Sequence, residues 1–303
     1  MKFSPWLCGA VLLLTPVLLL AAHEYATARA SLRTADLPYV AAAAPDFDAE
    51  RHRLDVYSPR KGTAPRPVVV FIHGGSWNSG SKDFYAFIGR RLARQGLVAV
   101  VVNYRLSPQV QVPAMAFDCA RAVRWTEQHI REYGGDPARI FLLGHSAGGG
   151  LAALLATDNA LFARLGQPHN PVRGVVLDDA AGLNMYTYLQ KQQYPGDAAY
   201  LVPFGPDARV WQQVSPYYHL TRQSPPFLVF VGGKTYPSIR SSSEEFCQRL
   251  RDLGQEPRFT VLPGKKHAAM VLQLYWPRNI IYQQIKEFVG LPPTSAAPAG
   301  AGH

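Results

Sequence analysis

The chemistry of this chain concentrates in five residues, Gly144-His145-Ser146-Ala147-Gly148. They stand between a run with strand character, Arg139 to Gly144, and an Ala/Leu-rich run with helix character, Ala147 to Ala156. That is the setting a G-x-S-x-G nucleophile elbow requires. A serine on so sharp a turn takes up strained backbone, and the positions two before and two after it must lack a side chain so that strand and helix can pack closely. A helix beginning at Ala147 also aims free N–H groups and a positive dipole end at charge developing beside Ser146. A glycine-rich strand-to-helix turn can instead bind phosphate, but the lysine of a P-loop is missing here.

An activated serine needs a base and donors for the oxyanion. His73-Gly74-Gly75-Ser76-Trp77 follows a β-branched run from Pro67. The N–H groups of Gly74 and Gly75, with that of Ala147, are the candidate oxyanion hole, and such preorganised donors are worth roughly 10²–10³ in rate each. His73 lies on the oxyanion side and is read as an organiser of the turn. The candidate base is His267, just after the strand-like Arg258 to Leu262, because a histidine last in chain order suits an elbow serine of this kind. His219 precedes the Phe227 to Gly232 run and fits that order poorly.

The elements that would position these residues alternate. Strands are expected at Arg53 to Tyr57, Pro67 to His73, Leu97 to Asn103, Arg139 to Gly144, Val172 to Asp178, Pro226 to Gly232 and Arg258 to Leu262. Helices are expected at Asp83 to Gln95, Pro113 to Tyr133, Ala147 to Ala156, Ser241 to Leu253 and from about Ala269 to Phe288. This order predicts an α/β fold with a mostly parallel sheet covered by helices on both faces. From about Leu183 to Arg222 the chain is aromatic, proline-containing and irregular, which predicts a lid insertion. Met185, Tyr186, Tyr188, Tyr194, Tyr200, Phe204 and Trp211 crowd that insert, while Trp77 and Tyr104 flank the oxyanion blocks. Trp77, Tyr104 and Tyr186 are the expected substrate-binding residues, and the aromatic insert serves either as a substrate wall or as its own core.

Four blocks occur in order: His73-Gly74-Gly75, Asn103-Tyr104-Arg105-Leu106-Ser107-Pro108, Gly134-Gly135-Asp136-Pro137 and Gly144-His145-Ser146-Ala147-Gly148-Gly149. Together they resemble the bacterial carboxylesterase branch of the α/β-hydrolase fold, related to hormone-sensitive lipase and kynurenine formamidase, over about residues 50–290. The resemblance implies acyl-ester hydrolysis through an acyl-enzyme, with a small-molecule ester as substrate and no metal or organic cofactor.

The acid is where the chain departs from that pattern. Most relatives of this branch place Asp or Glu in the loop where this chain has Thr235, in Gly232-Gly233-Lys234-Thr235-Tyr236-Pro237. Threonine cannot support an imidazolium ion. Some lipases of the fold take the acid from the end of the preceding strand, here Leu177-Asp178-Asp179. Asp178 is therefore the expected triad acid, with Asp179 and Glu244 as alternatives. Besides the carboxylesterase, the sequence leaves open an arylformamidase-like amide hydrolase, an acyltransferase on the same site, or a catalytically impaired binding protein motivated by Thr235.

The formal charge is +10 over 303 residues, and the excess persists once residues 1–30 are set aside. Lys and Arg are scattered rather than clustered, so no nucleic-acid footprint is expected. Pro5 to Ala22 is nearly all apolar after Lys2, and Ala28-Arg29-Ala30 resembles a cleavage site. Residues 1–30 are read as a signal peptide or a retained N-terminal membrane anchor, which places the chain in an extracytoplasmic compartment, periplasmic or secreted. Residues 31–290 are read as one hydrolase domain and 291–303 as a disordered tail. Cys119 and Cys247 are expected as small core residues of two helices rather than a disulfide. Oligomeric state is not legible.

Overall fold

The protein is described by a computed structural model covering residues 31–291 apart from 61, 63 and 194. Residues 1–30, read from the sequence as a signal peptide or anchor, Tyr194 and nearly all of the tail lie outside the described residues. Eight strands form one sheet in the order β1-β2-β4-β3-β5-β6-β7-β8. They are β1 (Ser31–Pro38), β2 (Arg53–Pro59), β3 (Arg66–Ile72), β4 (Val98–Val102), β5 (Gly135–His145), β6 (Val172–Asp178), β7 (Phe227–Gly232) and β8 (Arg258–Leu262). β1–β2 and β2–β4 pair antiparallel, and every pair from β4 onward across the sheet is parallel.

The central strands are buried on both sides, which is why they read as unbroken Val/Ile/Phe runs. Val68, Val70 and Ile72 of β3 join one apolar layer, and Val69 and Phe71 the other. α2 (Val112–His129), α3 (Ala147–Thr157) and α8 (Pro237–Asp252) contribute to the first layer; α1 (Ala86–Arg94), α9 (His267–Leu272) and α10 (Ile280–Phe288) contribute to the second. Cys119 and Cys247 are buried free thiols of the first layer.

Three differences from the sequence expectation have physical causes. β1 went unread because seven of its eight residues are exposed or half-exposed, so no apolar period marks it. The single helix expected at the C-terminal end is two, α9 and α10, with Pro277 between them; proline lacks the N–H that would carry the helix through. The insert between β6 and β7 is built of short helices: α5 (Met185–Lys191), α6 (Leu201–Phe204) and α7 (Ala208–Gln213). The remaining short helix, α4 (Ala160–Ala163), precedes β6.

Candidate active site

The C-terminal ends of β3, β5, β6, β7 and β8 all open to one edge of the sheet, where an open α/β sheet places its ligands. At the end of β5, Ser146 has φ 53° and ψ −124° and directly precedes α3. This left-handed backbone is costly for a residue with a side chain and is held by its surroundings. Ser146 N–H donates to the Asp178 carbonyl at 3.2 Å, and the Ser146 carbonyl accepts from Ala181 N–H at 2.9 Å. A Cβ on Gly148 would stand 2.1 Å from the Ile72 carbonyl, so glycine there is what lets α3 lie against the end of β3.

His267, the first residue of α9, places Nε2 2.9 Å from Ser146 Oγ. Its Nδ1 lies 2.6 Å from Asp179 Oδ2. Asp179 is fully buried, and its other oxygen accepts from Gly232 N–H at 2.8 Å. Thr235 Oγ1 donates to Oδ2 as well. The loops bearing Thr235 and His267 are tied by Gly233 N–H to the Leu262 carbonyl and Lys234 N–H to the Lys265 carbonyl, both 2.8 Å. Ser146, His267 and Asp179 thus come from three strand ends into one hydrogen-bonded line.

The expectation for Asp178 is corrected. It is the last residue of β6, two after Val176 of the second apolar layer, and strand alternation sends its side chain into that layer. Both its oxygens are buried without a hydrogen-bond partner. Asp179, one residue on, leaves the strand at φ 52°, and its carboxylate turns to Gly232 and His267. Glu244 lies on the exposed side of α8, paired with Arg240 at 2.6 Å.

Burial, reinforced by the charge of Asp179, pushes the Asp178 carboxyl well above the ordinary carboxylate range. The folded chain then holds a proton that the unfolded chain releases above about pH 4, so this residue costs more stability as pH rises. Asp178→Asn should therefore gain on the natural chain between pH 5 and pH 8 in urea unfolding. A constant difference across that range would mean Asp178 is ionised in the fold.

His73 is buried, and burial pushes its pKa down to about 3. Its Nδ1 is 2.8 Å from the Gly74 carbonyl, and its own carbonyl accepts from Tyr104 O–H at 2.8 Å. It therefore orients the turn from His73 to Gly75 as a neutral ring, through its neighbour's peptide. Gly74 packs against the Ser146 side chain, and Gly75 has φ +125° with the Ser79 carbonyl 2.3 Å from where a Cβ would be. Among the described residues the N–H groups of Gly74 and Gly75 meet no backbone acceptor in the turns. Ala147, at the first position of α3, has no acceptor within its helix. His145 stacks on His267 with centroids 4.9 Å apart, and burial followed by repulsion from His267 pushes its pKa down to about 3.

A cavity of about 550 Å³ opens over Ser146 and His267. Trp77, Tyr188, Tyr200 and Tyr236 line it, with Asp197 between residues of the insert. Two substrate-binding expectations are corrected: Tyr104 is fully buried and stacked on His73 at 4.4 Å, serving the turn, and Tyr186 packs edge-on against Tyr218 outside the cavity. Trp211 belongs to the insert's own core, donating to the Gly205 carbonyl at 2.8 Å. The insert is thus part wall and part core. Among the described residues no group of three or more His, Cys, Asp or Glu is arranged to hold a metal.

Thr235 Oγ1 donates to the same Asp179 oxygen that lies against His267 Nδ1. Thr235→Val should lower kcat about tenfold, the value of one charge-assisted hydrogen bond, with KM little changed. An unaltered kcat would assign Thr235 to packing alone.

A serine on a strained turn, an imidazole and a buried carboxylate at three strand ends of a mostly parallel sheet are the features of the α/β-hydrolase fold. The BD-FAE family model matches residues 54–250, and the chain belongs to that family. It is 31% identical over 255 residues to a protein of Arabidopsis thaliana named "Probable isoprenylcysteine alpha-carbonyl methylesterase ICMEL1", covering 78% of this chain and 52% of that one. It is 32% identical over 215 residues to "Probable carboxylic ester hydrolase LipM" of Mycobacterium tuberculosis, covering 68% and 50%. The chain thus spans about half the length of the curated relatives it matches. Esterase B of Lactobacillus rhamnosis shares the fold with a TM-score of 0.73 at 22% identity, over 93% of this chain and 95% of that one.

Proposed function

We propose that this protein is a serine carboxylesterase that hydrolyses carboxylic esters through an acyl-enzyme. The observation that carries the reading is the line from Ser146 Oγ through His267 to Asp179, at 2.9 and 2.6 Å. Ser146 Oγ attacks the ester carbonyl carbon as His267 Nε2 takes its proton. The N–H groups of Gly74, Gly75 and Ala147 hold the resulting oxyanion. Collapse expels the alcohol, which leaves with the proton from Nε2, and Ser146 remains acylated. A water then attacks the acyl carbon, giving its proton to Nε2, and the second collapse returns that proton to Ser146 as the acid departs. Asp179 accepts a hydrogen bond from Nδ1–H throughout, fixing the tautomer and supporting the cation.

The names of the relatives, a methylesterase and a carboxylic ester hydrolase, favour the same reaction class. The impaired-binding reading loses its motive, since Asp179 fills the vacancy that Thr235 leaves. Hydrolysis of p-nitrophenyl acetate and butyrate, measured beside aryl formamides and alcohol acceptors, tests the reading. Ester hydrolysis should dominate; faster formamide cleavage or net transfer to alcohols would replace it.

We further infer export from the cytoplasm, supported by the apolar run Pro5 to Ala22. Among the described residues no helix is long and apolar enough to cross a membrane. Fractionation of cells expressing the full chain should recover it outside the cytoplasm; recovery in the cytosol would reject the inference.

A further inference from the structure

The cavity over Ser146 has a charge balance opposite to that of the chain. The sequence holds 31 Lys and Arg against 21 Asp and Glu, yet among the described residues no Lys or Arg lines the cavity and one carboxylate, Asp197, does. Asp197 is 4% exposed and accepts a 2.6 Å hydrogen bond from Tyr188 O–H. Burial, then the bond to Asp197, raises the Tyr188 phenol far above its ordinary range and keeps it a donor. Tyr200 stands edge-on to both Tyr188 and Trp77, with ring centroids 5.8 Å from each. An aromatic wall therefore runs from Trp77, near the nucleophile, to the buried carboxylate.

Aromatic faces attract an ammonium group within about 6 Å, more strongly when water is excluded. A carboxylate behind them adds to the attraction, and an anionic substituent placed beside Asp197 would be repelled by it. We propose that Asp197 and the Trp77–Tyr200–Tyr188 wall form a subsite for a cationic, ammonium-bearing portion of the ester. This rests on the esterase reading and specifies its substrate class. Asp197 is the residue that determines the preference.

Two matched ester pairs test it. Butyrylcholine against 3,3-dimethylbutyl butyrate carries the ammonium on the alcohol. The p-nitrophenyl esters of 4-(trimethylammonio)butyrate and 5,5-dimethylhexanoate carry it, or its neutral isostere, on the acyl chain. In at least one pair the cationic ester should be favoured about tenfold in kcat/KM. Asp197→Asn should erase that ratio and Asp197→Glu should retain it; a ratio cancels any general loss from repacking of the insert. Binding of the same two pairs to Ser146→Ala by calorimetry should show the same preference, whether or not either ester is turned over, which separates this subsite from the esterase reading. Equal binding of cationic and neutral partners in both pairs, or a preference that survives Asp197→Asn, would assign Asp197 to bracing the insert through Tyr188 and overturn the proposal.

Discussion

Ser146→Ala is expected to lower kcat for ester hydrolysis by about 10⁶, by analogy with removal of the nucleophile from another serine hydrolase. Both halves of the reaction run through this one oxygen, so no neighbouring group can carry part of the load. The residual rate should be that of water attacking an ester held in the oxyanion hole, a roughly 10³–10⁴ acceleration over solution. Ser146 is 8% exposed, and its hydroxyl contacts His267 rather than a structural partner. The urea midpoint should therefore stay near that of the natural chain. A variant that unfolds would leave the catalytic role unproven, whereas a folded variant with substantial activity would refute it.

The next largest effect separates two adjacent carboxylates. Asp179→Asn should lower kcat about 10⁴-fold with KM little changed, as the isosteric change does at the acid of another triad. An amide at position 179 can present N–H to His267 Nδ1, which forces the imidazole proton onto Nε2. A protonated Nε2 cannot accept from Ser146. Asp178→Asn should leave kcat close to that of the natural chain, because the Asp178 side chain faces the apolar layer and touches none of the reacting groups. Steady-state kinetics on p-nitrophenyl butyrate reads both variants; a large loss at 178 with a small one at 179 would reverse the assignment.

This pair also marks how far the sequence could be read. Ser146 and His267 were legible because each sits in a local pattern, an elbow between strand and helix and a histidine after the last strand. Choosing between Asp178 and Asp179 required knowing which face of β6 each side chain leaves from. β6 reads Val-Arg-Gly-Val-Val-Leu-Asp and is buried on both faces from Gly174 onward, so alternation left no trace in its hydropathy. The positive φ at Asp179 that re-aims its carboxylate has no local signature either, being imposed by Gly232 N–H from β7.

The substrate wall shows the same limit. Trp77, beside the oxyanion glycines, was placed at the cavity by its neighbours in the chain. Tyr104 sits within a signature block, but its hydroxyl is committed to the His73 carbonyl. Within the insert, Tyr186 and Tyr188 are two apart on α5 and point to different sides, one to Tyr218 and the other to Asp197. Nothing in an irregular aromatic stretch tells a wall from a core until the short helices are in place. Thr235 carried a signal that could be read only in part: the missing acid was evident, while its service to the substitute acid was not.

The central claim is that the hydroxyl at 146 is made nucleophilic by the imidazole at 267. A biotinylated fluorophosphonate reacts covalently with a serine so activated, and peptide mapping locates the adduct. The natural chain should take up one label, on the peptide containing Ser146, and folded His267→Ala should label far more slowly. Folded natural protein that stays unlabelled, or that carries the adduct on another residue, would contradict the account.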